Sequence, residues 1–202
     1  IASLHPLFRP RAVAVVGASR SPQSIGYRLL AALHDNGFQG RCYAVNPHAS
    51  AIAGVEAFPN VRRLPAPIDL AVIAVPKHAV LAVVDECAAI GVRALVVITA
   101  GFAEVGEEGR LVQDQLLEKV RQHGMRMVGP NCFGILNTDP AVRLNATFTT
   151  TFPRAGSIAM SSQSGALGLA LVAASTRLHL GLSTFVSVGN KADVSVNDLL
   201  QY

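Results

Sequence analysis

Tryptophan is missing from this sequence, aromatic residues make up only 5% of it, and charged residues only 15%. So few charges against an apolar half exclude a disordered chain, because such a chain lacks the apolar surface that offsets ordering entropy. No apolar run reaches the roughly 18 residues that a membrane-spanning helix needs. The opening residues, Ile1-Ala2-Ser3-Leu4-His5-Pro6, carry neither a basic nor an apolar leader region, so no signal peptide is read there. Cysteine occurs three times, at Cys42, Cys87 and Cys132. An odd number at wide spacing does not make a disulfide framework, and a reducing, cytoplasmic setting is expected. Paired C-x-x-C ligands, an H-E-x-x-H helix and a Walker phosphate loop are all absent, so no metal site is expected in the chain.

The net charge of +4 comes from scattered arginines, of which only Arg62 and Arg63 are adjacent. A nucleic-acid surface asks for a clustered basic stripe, often with interleaved aromatics, and neither occurs. A modest positive excess suits a small polyanionic ligand equally well. The chain opens on Ile1 rather than methionine and stops at Tyr202 inside an expected helix. A piece of a longer protein is the expectation.

What the sequence does have is short runs that are apolar at every position: residues 13–16, 70–75 and 95–98. Such runs fit strands covered on both faces, as in a parallel sheet. Between them lie helical stretches; residues 107–123 place Val112, Leu116 and Val120 four apart with charges elsewhere. The expected order is strand 13–16, helix 24–35, strands 41–45 and 70–75, helix 78–90, strand 94–98, helix 107–123 and strand 125–128. This alternation predicts a doubly wound α/β sheet. The turn Pro153-Arg154-Ala155-Gly156 opens a second unit, with strand 157–160, helix 165–177, strand 183–188 and a helix from about Val194. Some fifty residues rarely bury a core alone, so this unit is either unfinished or leans on the first.

The first loop carries the chemistry. Strand 13–16 leads through Gly17-Ala18-Ser19-Arg20-Ser21 to Gly26, where a helix takes over. Ser21 and Ser24 are candidate N-caps, and the helix end offers unpaired N–H groups with partial positive charge. A phosphate sits there without needing a cation, and Arg20 is placed to add one. An ordinary glycine-containing strand–helix turn is the alternative. Gly17 and Gly26 stand nine apart, which is not G-x-G-x-x-G. The second strand ends Val45-Asn46-Pro47-His48, without the carboxylate that holds an NAD ribose and without an arginine for NADP.

Taken in order, these loops resemble a family. The ordered series comprises Gly17-Ala18-Ser19 with Gly26, Val45-Asn46-Pro47, Ala74-Val75-Pro76, Ile98-Thr99-Ala100-Gly101-Phe102 and Gly129-Pro130-Asn131-Cys132. Ser162-Gln163-Ser164-Gly165 and Gly189-Asn190-Lys191-Ala192-Asp193 complete it. The set is similar to the CoA-binding half of nucleoside-diphosphate-forming acyl-CoA synthetases, which include ADP-forming acetate–CoA ligases and, more distantly, the succinyl-CoA synthetase alpha subunit.

The resemblance implies a Rossmann-like CoA-binding domain over residues 1–150 and the start of a flavodoxin-like α/β domain over residues 151–202. It implies that Gly17, Ser19, Arg20, Ser21 and Gly26 surround the phosphates of coenzyme A. Asn46, Pro47 and His48 then lie at the adenosine end, with Val75, Pro76, Ile98, Thr99 and Ala100 along the same edge. Many relatives carry lysine where this chain has His48, which reads equally as a solvated turn residue. Asn131 and Cys132 line the thiol end; Cys132 has no histidine–carboxylate pair to make it a nucleophile.

Ser162, Gln163, Ser164 and Gly165 form either a second anion site or a well-capped helix, and Asn190 is placed to reach it. Around Ser164 the hydrolase pattern G-x-S-x-G fails at both ends. The phosphorylated histidine of the family lies beyond this chain, and His179 reads as a surface or packing residue. No catalytic residue is assigned here. ATP, ADP and magnesium belong to an ATP-grasp domain or subunit elsewhere, and a homo-oligomer fits as well. The implied whole reaction joins a carboxylic acid to CoA at the expense of ATP. A regulatory CoA-binding module of a lysine acetyltransferase is the alternative, since residues 1–202 look alike in both.

Overall fold

The computed structural model describes residues 2–65 and 67–202. Its first sheet has seven strands: β1 (Ala12–Val16), β2 (Arg41–Val45), β3 (Ala51–Ile52), β4 (Val55–Phe58), β5 (Leu70–Ile73), β6 (Ala94–Val97) and β7 (Arg126–Val128). The order across it is β3-β4-β2-β1-β5-β6-β7, and every pairing but that of β3 with β4 is parallel. Every residue of β1, β5 and β6 is buried. Side chains alternate across the sheet, so Val13 and Val15 enter one core while Ala14 and Val16 enter the other. Helices α1 (His5–Phe8) and α2 (Ile25–Asp35) fill the first core with Phe8, Leu29 and Leu33. Helices α3 (Lys77–Ala89) and α4 (Glu107–Gln122) fill the second with Val80, Val84, Leu116 and Val120. This is the doubly wound, Rossmann-like sheet that the apolar runs predicted. The chain leaves β1 for β2 on one side and β5 pairs on the other, so the order reverses beside β1, where such sheets open a ligand crevice.

A second sheet of four strands has the order β10-β11-β8-β9. Strands β10 (Ala155–Ser162) and β11 (Leu182–Ser187) are parallel and joined by α5 (Gly165–Arg177). The sequence pattern missed the other two, β8 (Gly134–Asn137) and β9 (Leu144–Thr147), an antiparallel pair that lies upstream of the Pro153 turn. They are short and carry buried polar residues, so no apolar run marks them. Asn137 Nδ2 donates to the Phe8 carbonyl at 2.9 Å, and Thr147 Oγ1 donates to Asn145 Oδ1 at 2.6 Å. These buried polar groups are thereby paired, Asn137 with the distant Phe8 and Thr147 within its own strand. Ile135, Leu144, Ala146, Val186 and Val188 join the core around α2, so the second sheet leans on the first. A final helix, α6 (Val196–Gln201), starts at a capping box between Ser195 and Asp198.

Two charged groups hold the periphery. At the amino edge Asp69, 4% exposed, accepts the Arg11 backbone N–H at 2.8 Å and the Arg93 guanidinium at 2.5 Å. Burial pushes its carboxyl up, but these donors and charges outweigh that and hold it below its ordinary 3.8. Across the unit boundary, Arg126 on β7 donates to Asp193 at 2.9 Å, to Asp198 at 3.0 Å and to Ser3 at 3.0 Å. Asp193 also accepts the Met127 N–H at 2.9 Å. Backbone bonds continue the seam: Val194 N–H to Met127, Ala192 to Gly129 and Asn190 to Pro130. Among the described residues no helix is long and apolar enough to cross a membrane.

Asp69→Asn is expected to cost about 1–3 kcal/mol in urea unfolding at neutral pH, through a buried group left with mismatched partners. Because the native pKa lies below the unfolded one, this contribution is present above about pH 3.8 and disappears as pH falls through the native value. The gap between the two proteins is therefore expected to close in acid. Arg126→Ala is expected to cost about 2–3 kcal/mol. It is also expected to speed amide exchange at Ala192 and Val194 more than in the centre of β1, read by hydrogen-exchange mass spectrometry.

Candidate functional site

The chain turns sharply where β1 ends. Gly17 has φ of +91°, and a Cβ there would collide with the Ala74 carbonyl. Gly26, in the first turn of α2, lies so close to the loop that a Cβ would strike the Gly17 carbonyl and the Ala18 Cα. Glycine is required at both positions, for different reasons: backbone conformation at the first, close approach at the second. The helix end is thus pressed against the exit of β1. Ser24 caps it by accepting the Tyr27 N–H at 3.2 Å, while its own hydroxyl donates to the Ser21 carbonyl at 2.7 Å. The N–H groups of Ile25 and Gly26 find no protein acceptor among the described residues. Ser19 accepts the Ser21 N–H at 3.2 Å and orders the loop, and Arg20 is exposed beside it. Open N–H donors, a positive helix end and backbone laid bare by glycine are what a phosphate group needs, so these residues fit one.

The neighbouring loops are braced to each other. Asn46 Nδ2 donates to the Ala18 carbonyl at 2.7 Å, and Asn46 Oδ1 accepts the His48 N–H at 2.7 Å. Its side chain therefore shapes the first loop instead of facing open space. Pro47 and His48 are exposed at the end of β2. Val75 and Pro76 follow β5, with Pro76 at the N-cap of α3. Ile98 is buried, Ala100 is exposed, and Thr99 Oγ1 donates to the Val75 carbonyl at 2.7 Å. After β7, Asn131 donates its N–H to the Thr99 carbonyl at 3.0 Å. The ends of β1, β2, β5, β6 and β7 thus share one edge, and Gly17, Asn46, Val75, Thr99 and Asn131 all lie along it.

Cys132 is buried and its Sγ faces the Val97 carbonyl at 3.3 Å. Burial pushes its thiol up to about 12, so no thiolate forms near neutral pH. Cys42 and Cys87 are pushed up to about 12 for the same reason.

In the second unit, Ser162 is buried and donates to the Ser164 carbonyl at 2.8 Å, and Ser164 caps α5 by accepting the Leu167 N–H at 3.3 Å. Both hydroxyls are engaged in forming the helix end; Gln163 is exposed beside it, and Gly165 packs against Phe133. Asn190 turns towards the first unit instead, where its amide meets Asn131, Glu104 and Gln113. His179 is exposed just past the end of α5, in a left-handed conformation. Sequence reasoning overlooked Lys77, whose aliphatic stem packs on Gly101, and Glu104. Lys77 follows Pro76 directly and was findable from that position; Glu104 meets Asn190 only through the fold.

Comparison with known proteins identifies the domains that carry these loops. A model of the CoA binding domain matches residues 11–138, and a model of the succinyl-CoA ligase-like flavodoxin domain matches residues 155–202. The alpha subunit of ADP-forming acetate–CoA ligase II of Pyrococcus furiosus is 44% identical over 98% of this chain and 43% of its own length. The corresponding subunit of ligase I from the same organism is 45% identical over 99% of this chain and 44% of its own. Among solved structures, acetyl-coenzyme A synthetase 1 of Ca. Korarchaeum cryptofilum, in complex with phosphate and ADP, superimposes with a TM-score of 0.93. It is 46% identical, with 98% of this chain and 42% of that one covered. The chain therefore spans less than half the length of these relatives. The resemblance carried by the ordered loops and the matched models agree: the chain belongs to the CoA-binding domain family of the ADP-forming acyl-CoA synthetases.

Proposed function

We propose that this chain is the CoA-binding portion of an enzyme that joins a carboxylic acid to CoA while converting ATP to ADP and phosphate. One observation carries the reading: glycines 17 and 26 bring the N–H groups of Ile25 and Gly26 onto the carboxyl edge of β1, where no acceptor among the described residues takes them. An acidic residue that would claim an NAD ribose is missing from the end of β2. In this reading the backbone around Gly17, Ser19, Ser21 and Gly26 holds the phosphates, with Arg20 adding charge from solvent. Val75, Pro76, Ile98, Thr99 and Ala100 line the path of the nucleotide and its arm, and Pro47 and His48 flank the adenosine. Asn131 and the surface over Cys132 lie towards the thiol end.

When bound, coenzyme A supplies the thiol that takes up an acyl group. This chain's residues bind it, orient it and keep the loop ends in register. The high pKa of Cys132 supports a lining role rather than a nucleophilic one. A phosphohistidine and the ATP and magnesium site belong to partner segments, with an ATP-grasp domain or subunit the expected companion. Ser162–Gly165 is kept as a contact for the transferred phosphate, supported by the exposed, capped end of α5. A cytoplasmic setting belongs to the same reading, supported by three unpaired cysteines. The acetyltransferase module has no observation in its favour, whereas the Pyrococcus furiosus relatives matched along the chain are ligase alpha subunits.

Titration calorimetry of the chain with CoA, NAD and NADP tests this. CoA is expected to bind and both dinucleotides to give no heat; binding of a dinucleotide without CoA would sink the reading. Gly26→Ala is expected to weaken CoA binding at least tenfold, about 1.4 kcal/mol, by pushing the helix end off the loop. Its thermal melt is expected to show that the fold remains.

A further inference from the structure

One highly connected side chain at the ligand edge, Glu104, is not used by the coenzyme reading. Glu104 lies in the short 3₁₀ turn Ala103–Val105 and folds back on the loop before it. One carboxylate oxygen accepts the Gly101 N–H at 2.5 Å, and the other accepts the Phe102 N–H at 3.1 Å. The second oxygen also takes Asn190 Nδ2 of the second unit at 2.5 Å. The same Asn190 amide donates to Gln113 on α4 at 2.8 Å, and its oxygen accepts Asn131 Nδ2 at 3.2 Å. Asn131 in turn holds the Thr99 carbonyl at 3.0 Å, and Thr99 holds Val75 at 2.7 Å. Burial raises the carboxyl, but the Asn190 amide and the loop N–H groups outweigh it and keep Glu104 ionised below its ordinary range. The backbone supports the same junction, because Gly189 rests on the carbonyls of Pro130 and Asn131 with no room for a Cβ.

A local cap explains the bonds to Gly101 and Phe102. It does not explain why the carboxylate is shared with a residue 86 positions away, in the other unit. Gly101 has φ of +102°, so the loop has an unusual backbone conformation to maintain, and the Glu104 carboxylate fixes its N–H. We infer that Glu104 is a positioning residue for coenzyme binding: it fixes the loop of residues 99–102 and ties it to Asn190, so the second unit sets the shape of the first unit's ligand edge. The inference rests on the CoA reading above.

The test is CoA affinity of the 202-residue chain by titration calorimetry, with a thermal melt of each variant. Glu104→Gln removes the charge and turns an amide towards the Asn190 amide; affinity is expected to fall about fivefold, a modest loss because Glu104 is solvent-exposed. Asn190→Asp sets two carboxylates face to face and is expected to do the same. The double variant E104Q/N190D exchanges the partners and restores one amide–carboxylate pair, with Gln113 turning its amide to donate. It is expected to recover most of the affinity.

Asn190→Ala, which inserts no charge and no new donor, is expected to weaken CoA severalfold with its melt nearly unchanged. Purely additive losses, with the double variant weaker than either single one, would overturn the inference and leave Glu104 a local cap. Unchanged affinity in both E104Q and N190A would overturn it as well. Wild-type chain that fails to bind CoA would instead overturn the coenzyme reading itself.

Discussion

The contact between Gly26 and the carbonyl of Gly17 is the constraint on which the ligand edge depends. A helix usually begins a short distance beyond its strand, with side chains between the two. Here neither residue has one, and the first turn of α2 rests on backbone. That closeness aims the helix end at the edge and sets its position relative to β1. The remaining loops are then adjusted to it. Asn46 reaches across to Ala18, Thr99 to Val75, and Asn131 to Thr99, so that each loop end takes its position from the one before.

The second sheet is held by different physics. Its own core is small, built on Phe133, Leu136, Val172, Leu182 and Phe185. What keeps it in place is the apolar surface shared around α2, together with directional bonds at the seam. Arg126 gathers Asp193, Asp198 and Ser3, and Asp198 simultaneously caps α6. Charge-assisted bonds of this kind fix geometry more than they add free energy, because the ions must first give up water. The seam therefore specifies how the two units sit, while apolar burial supplies the stability.

Much of this was legible in the residues, and the reasons are physical. Strands β1, β5 and β6 are apolar at every position because both faces are covered, and their shortness and valine content set them apart from a buried helix segment. Ser24 and Ser164 announced the helices they cap, through hydroxyls placed just before apolar stretches. Strands β3, β4, β8 and β9 were not legible. They are two to four residues long, β4 carries a glutamate, and β8 and β9 are mixed with glycine, asparagine or threonine; they are strands only because a neighbour pairs with them. Similarly, the motif around Asn46 could be read, but its bracing role could not, since the partner Ala18 lies 28 residues away. The bonds of Asn190 to Glu104 and Gln113 belong wholly to the tertiary fold.

The seam also has a consequence for the sheet itself. Strand β7 closes the row, and its outward-facing backbone groups would otherwise be a template on which a foreign strand could align. Instead the Met127 N–H is taken by the Asp193 carboxylate, and the Met127 carbonyl by the Val194 N–H. The loop that links the two units is thus also a guard rail, denying that flank to unwanted partners without adding a strand.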